Sequence, residues 1–125
     1  MARTIIATDA APKSPSYSQA VAAAGLVFVS GTAPLDPQTG RLVDGPVEAQ
    51  VAQCLRNISA ILKAAGSDLD KAVSATLVIA DENDFAAANE EWMRWFPNDP
   101  PARQGAKMPV RIEGMKVSIA LVAEA

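Results

Sequence analysis

The residue with the clearest capacity for chemistry is Arg103, at the end of the segment Pro100-Pro101-Ala102-Arg103. A guanidinium presents a planar fork that grips a carboxylate through two parallel, charge-assisted hydrogen bonds, which makes Arg103 a candidate anchor for a small acid. A solvated or ion-paired arginine is the plain alternative. Ser30-Gly31 closes an apolar run, where backbone N–H and C=O groups can reach a ligand; a turn glycine without a function fits equally well. Asn89 is expected in the middle of a helix, where an amide can simply bond nearby backbone. Tyr17, the only tyrosine, reads as a half-buried ring with its hydroxyl at the surface. The chain has no histidine, which removes Ser-His and Cys-His nucleophile pairs, imidazole acid–base chemistry and nearly every zinc site. Catalysis must then rest on carboxylates, hydroxyls, Arg, Lys or backbone groups.

The bulk properties set the frame for these residues. At 125 residues the chain has the size of a single domain over 1–125, able to bury roughly two-thirds of the surface its unfolded form exposes. Half the residues are hydrophobic, many of them alanine, and 20% are charged, a globular rather than a disordered composition. A net charge of -3 supplies no footprint for a polyanion and argues against nucleic acid as a partner. No run of about 20 apolar residues is present, so no membrane partner is expected, and the segment from Met1 to Ala11 does not read as a signal peptide. The single cysteine, Cys54, precludes an intrachain disulfide and fits a reducing, cytoplasmic setting. Neither GxxxxGK[ST] nor GxGxxG occurs, so nucleotide cradles lack support.

The elements that must position the candidates follow from periodicity. Thr4–Thr8 and Ser18–Ala24 read as short strands separated by a Pro/Ser-rich loop, and Leu26–Val29 reads as a buried strand after a turn at Gly25. A loop over Pro34–Gly40 leads to the clearest helix. There, Pro46 is expected at the first helical position, Val47, Val51, Leu55, Ile58 and Leu62 form the stripe, and Gly66 is the stop. Cys54 falls on the apolar side of that helix and reads as a small core hydrophobe. Alternation over Lys71–Ala80 predicts a strand with Val73, Ala75, Leu77 and Ile79 on one face. A second helix follows, with Asp84 as its cap and Phe85, Ala88, Trp92 and Trp95 or Phe96 as its stripe, ended by Pro97. Arg103–Met108 is expected to be extended. Met115–Val122 is expected as the last strand, with Val117, Ile119 and Leu121 opposite Lys116, Ser118 and Ala120. The simplest packing is one sheet with two helices on one face, and self-association is the direct way to cover the other face.

An ordered set of segments resembles the RidA (YjgF-like, reactive intermediate deaminase) family. The segments are Tyr17-Ser18-Gln19-Ala20-Val21, Phe28-Val29-Ser30-Gly31, Asp36-Pro37 with Thr39-Gly40, Asn57-Ile58, Ala64-Ala65-Gly66-Ser67, Asp84-Phe85 with Asn89, and Pro101-Ala102-Arg103. The resemblance spans nearly the whole chain. It implies a chorismate-mutase-like α+β fold, one mixed or antiparallel sheet with two helices on one face. It further implies a homotrimer with a central barrel of sheets and a ligand cleft at each subunit interface. The implied activity is hydrolysis of enamines and imines such as 2-aminoacrylate, with no cofactor. By the same resemblance Arg103 anchors the substrate carboxylate, Tyr17 and Asn89 line the cleft, and backbone at Ser30 and Gly31 holds the reacting end.

The sequence also departs from the family pattern. Ser118 stands where deaminase members carry the glutamate that positions or activates water, Gly105 stands where a cysteine is common, and Pro15-Ser16 replaces Gly-Pro. A serine can hold a water but cannot act as its base near neutral pH. The expected function is therefore an imine deaminase using Arg103 and Ser118, with a 2-keto-acid-binding trimer without turnover as the alternative. An endoribonuclease ranks below both, since histidine and a basic face are missing.

Overall fold

The computed structural model describes residues 2–108 and 112–125. Its elements run β1 (Thr4–Ile6), β2 (Ala20–Ala23), β3 (Leu26–Thr32), α1 (Val47–Ala64), β4 (Ala72–Ile79), α2 (Phe85–Trp95), β5 (Ala102–Lys107) and β6 (Val117–Glu124), with short 3-10 turns at Leu69–Lys71 and Glu82–Asp84. The strands form one sheet in the order β1-β2-β3-β6-β4-β5. All neighbours are antiparallel except β4 and β5, so the sheet is mixed. Its parallel pair is joined through α2, the crossover element such a connection needs.

Each element has a local cause. β2 and β3 are joined by the two-residue turn Ala24-Gly25, with φ of 54° and 78°. Positive φ at both positions is the type I′ geometry whose twist matches the flanking strands. The stripe of α1 is fully buried at Val51, Cys54, Leu55, Ile58 and Leu62. Burying each large aliphatic side chain contributes about 1.5–3 kcal/mol, and the Ala, Leu, Gln, Glu, Arg and Lys residues of α1 add good intrinsic propensity. Pro46 is the N-cap rather than the first helical residue, with ψ of 167° in the extended region, and Gly66 follows the C-cap with φ of 80°. Buried Gln50 ties α1 to the start of β6: its amide donates to the carbonyls of Val43 and Gly114, and its Oε1 accepts from the Lys116 backbone N–H at 2.8 Å.

Two further expectations fail, one in β4 and one at the start of α2. Val73 does not share the buried face of β4; it is 41% exposed and sits at a slip in the β4–β6 register between Ala72 and Ser74. An extra residue in one strand shifts the alternation by one place. Asp84 makes no side-chain cap to α2; Asp81 caps the preceding 3-10 turn instead, accepting from Asn83 N–H at 2.9 Å. Beyond these slips the alternation holds. In β6, Val117, Ile119, Leu121 and Ala123 are buried under the helices, while Ser118, Ala120 and Val122 face the other way and are only half-buried. On that other face Ile5, Val21, Phe28 and Val122 form a row across four strands, each opposite the next in register. Ile5 and Phe28 in this row are 52% and 44% exposed. Among the described residues no helix is long and apolar enough to cross a membrane.

Candidate functional site

Arg103 lies on β5, the edge strand, in register with Ala75 of β4, which in turn pairs with Leu121 of β6. Residues opposed across a sheet project to one face, so Arg103 projects toward the helices. There its Nη1 donates to Asn89 Oδ1 at 2.8 Å. Its guanidinium carbon stands 5.6 Å from the ring centroid of Phe85 and 5.3 Å from that of Trp92. Phe85, Asn89 and Trp92 share a face of α2 because they are spaced by four and three residues. The two ring faces favour the cation electrostatically, and Asn89 fixes one of its nitrogens. Among the described residues none of the carboxylates is in ion-pair contact with Arg103. The result is an exposed, oriented guanidinium with hydrogen-bonding capacity left for an anion.

The second group of candidates lies elsewhere. The β3–β6 register slips between Val29, opposite Leu121, and Thr32, opposite Ile119, so Ser30 and Gly31 form a bulge. Bulges turn backbone groups out of the ladder and re-aim side chains. Ser30 Oγ donates to the Ser18 carbonyl at 2.6 Å and its N–H donates to the Gln19 carbonyl at 3.0 Å, which pins the loop carrying Tyr17 against the bulge. Tyr17, Ser30 and Gly31 share the lining of a small cavity. A side chain at Gly31 would place its Cβ 3.6 Å from Ser118 Oγ, so Ser118 belongs to this group. Ser118 is in register with Val78, on the face away from the helices.

The structure thus gathers the six sequence candidates into two clusters, Arg103 with Asn89 on the helix side and Tyr17, Ser30, Gly31 and Ser118 around the bulge. It does not bring the clusters together within one chain. Cys54 belongs to neither; it is buried in α1, where loss of solvent pushes its thiol far above the usual range, and Sγ donates to the Thr32 carbonyl at 3.3 Å. A thiol held protonated in this way is not a nucleophile.

The family profile described as Endoribonuclease L-PSP matches residues 8–125. A 2-iminobutanoate/2-iminopropanoate deaminase from Capra hircus is 40% identical over 124 residues, covering 98% of this chain and 90% of that one. The YjgF gene product of E. coli superposes with a TM-score of 0.90 at 32% identity, over 97% of this chain and 98% of that one. The chain belongs to the RidA family. A second RidA-type structure, the Yersinia pestis Rid family protein YyfA, superposes with a TM-score of 0.93 at 34% identity, over 99% of this chain and 100% of that one.

Trp92 is buried in the core as its stripe predicts, whereas Phe85 is 43% exposed, and both rings also stand against the Arg103 guanidinium. The signal was present in the spacing Phe85, Asn89, Trp92, which puts an amide between two aromatic rings on one helix face.

Proposed function

We propose that this RidA-type chain, a single domain over 1–125, is a hydrolytic deaminase of reactive enamines and imines of the 2-aminoacrylate type. It acts as a homotrimer without a cofactor, and binds the substrate carboxylate at Arg103 in a cleft between subunits. The observation that carries this reading is Arg103 itself, oriented by Asn89 at 2.8 Å and lacking a carboxylate partner among the described residues. Relatives about 40% identical that are named imine deaminases support the reaction class.

The split of the candidates between two faces supports a shared cleft. Arg103 and Asn89 of one subunit would meet Tyr17, Ser30, Gly31 and Ser118 of its neighbour. The half-covered row Ile5, Val21, Phe28 and Val122 supports self-association through the sheet, since burying it would remove apolar surface from water. The trimeric barrel implied by the family resemblance is the arrangement we adopt. A reducing, cytoplasmic setting suits the lone thiol of Cys54.

In the reaction, Arg103 holds the carboxylate next to the imine carbon and the bulge backbone at Ser30 and Gly31 holds the nitrogen end. Ser118 holds a water. The oxygen of that water bonds to the imine carbon as the C=N electron pair moves to nitrogen, which takes up a proton from the water, giving a carbinolamine. Collapse of that intermediate breaks the C–N bond, releases ammonia and leaves a 2-keto acid. Serine in place of a carboxylate forfeits a general base, an effect of about 10²–10⁴-fold. The substitution favours one second reading, a trimer that binds 2-keto acids without turnover.

The test generates 2-aminoacrylate from serine with a dehydratase and follows ammonia or pyruvate. Acceleration above the buffer rate that is lost in Arg103→Ala is expected. No acceleration, or equal acceleration by Arg103→Ala, overturns the deaminase reading. A tight calorimetric complex with a 2-keto acid, found together with no turnover, establishes the binding reading.

A further inference from the structure

The Arg103 side of β5 continues past the guanidinium. Gly105 and Lys107 are in register with Leu77 and Ile79 and share its face. Over them opens a pocket of about 310 Å³ lined by Leu77, Ile79, Phe85 and Gly105 and rimmed by Glu82 and Lys107. This volume is at the lower end of the range for small-molecule sites, about 300–1,000 Å³. Phe85 joins the pocket to the anion site, because the ring that walls the pocket is the one 5.6 Å from the Arg103 guanidinium. Arg103 and Gly105 are two strand residues apart, about 7 Å. A small acid held at Arg103 therefore has a place for its other end.

Gly105 keeps that place open. A glycine inside a strand weakens it and packs nothing. Neither conformation nor crowding asks for one here: Gly105 is not among the positive-φ glycines, and a Cβ would meet the Leu77 carbonyl oxygen at 3.5 Å, an ordinary contact. What the glycine confers is space. The floor is apolar, and Lys107, the one cation among the described residues at the rim, is engaged, its Nζ standing 3.2 Å from Glu82 Oε1. The pocket therefore suits a hydrocarbon tail and not a second carboxylate.

We propose that Gly105 opens a side-chain pocket of the Arg103 site, selecting monocarboxylic 2-imino and 2-keto acids with a branched or aromatic apolar side chain over three-carbon ones. The carboxylate lies on Arg103, and the side chain runs along β5 over Gly105 and rests on Phe85. The assignment of imines as substrates rests on the deaminase reading above; recognition of the apolar tail is a statement about binding.

Calorimetric titration of the intact protein with pyruvate, 4-methyl-2-oxopentanoate and 2-oxoglutarate tests it. The branched acid should bind at least about tenfold more tightly than pyruvate, and 2-oxoglutarate should show no advantage over pyruvate. Gly105→Val should reduce the preference at least about tenfold, and Gly105→Ala, which fits the backbone, should fall between. Equal or weaker binding of the branched acid, tightest binding of 2-oxoglutarate, or a preference unchanged in both variants overturns the proposal. Turnover of leucine-derived and alanine-derived imines, made by an amino-acid oxidase, is followed in parallel. Size preference in binding without turnover sinks the deaminase reading alone, and turnover without size preference sinks the pocket alone.

Discussion

Arg103 and Ser118 project from opposite faces of one sheet. Arg103 is in register with Ala75 and Ser118 with Val78, and three places along a strand reverse the face. A guanidinium on the helix side and a hydroxyl on the other side of the sheet do not share one face, so a site that used both would need a second chain.

Asn89 Oδ1 accepts a hydrogen bond from Arg103 Nη1 at 2.8 Å, a contact that orients the guanidinium. Asn89→Ala should weaken 2-keto acid binding by a few-fold, the net worth of about one hydrogen bond. Asn89→Asp should weaken it further, by tenfold or more, because the new carboxylate occupies the guanidinium and repels the ligand. Calorimetry with pyruvate reads both. Equal affinity in the two variants would show that Asn89 does not set the charge seen by the ligand.

Ser118→Glu places a carboxylate beside the Gly31 bulge, where a Cβ at residue 31 would be 3.6 Å from the present Oγ. Imine hydrolysis should rise by about 10²-fold as a general base becomes available. Since a base acts only when ionised, the gain should fade as pH drops through the carboxylate range near 4. A rate unchanged at neutral pH would separate Ser118 from the reacting centre.

Phe28 is 44% exposed on the bare face, between Val21 and Val122. Phe28→Asp would bury an unpaired charge in any interface formed there, a cost of several kcal/mol. The expected result is a folded monomer by light scattering and circular dichroism, with imine hydrolysis lost. An unchanged oligomer would move the interface off this face.

Asn57 is buried at 1% exposure; its amide donates to the Ala33 and Leu35 carbonyls and its Oδ1 accepts from Gln53 Nε2. Asn57→Ala strands these partners and opens a small void, costing about 2–4 kcal/mol in urea unfolding. A loss below about 1 kcal/mol would mean the loop after β3 is not held by α1.

Local pattern alone determined much of the fold. The α1 stripe from Val47 to Leu62 and the faces of β6 follow from 3.6- and 2-residue periods, and the stop at Gly66 and the turn at Gly25 follow from glycine's access to positive φ, all of them local along the chain. The ordered segments carried the family and named Arg103. What tertiary structure decided lies where no period exists. Ala102–Lys107 has no alternation, so the face of Arg103 follows only from parallel pairing with β4, and that pairing also sets Gly105 over the pocket. The slips at Val73 and at Ser30–Gly31 depend on the partner strand β6, not on their own residues. Phe85 has the spacing of a core stripe but stays 43% exposed, and with buried Trp92 it stands against the guanidinium that β5 brings to them. Periodicity reports which side of an element is apolar, whereas only the docking of elements decides what each side meets.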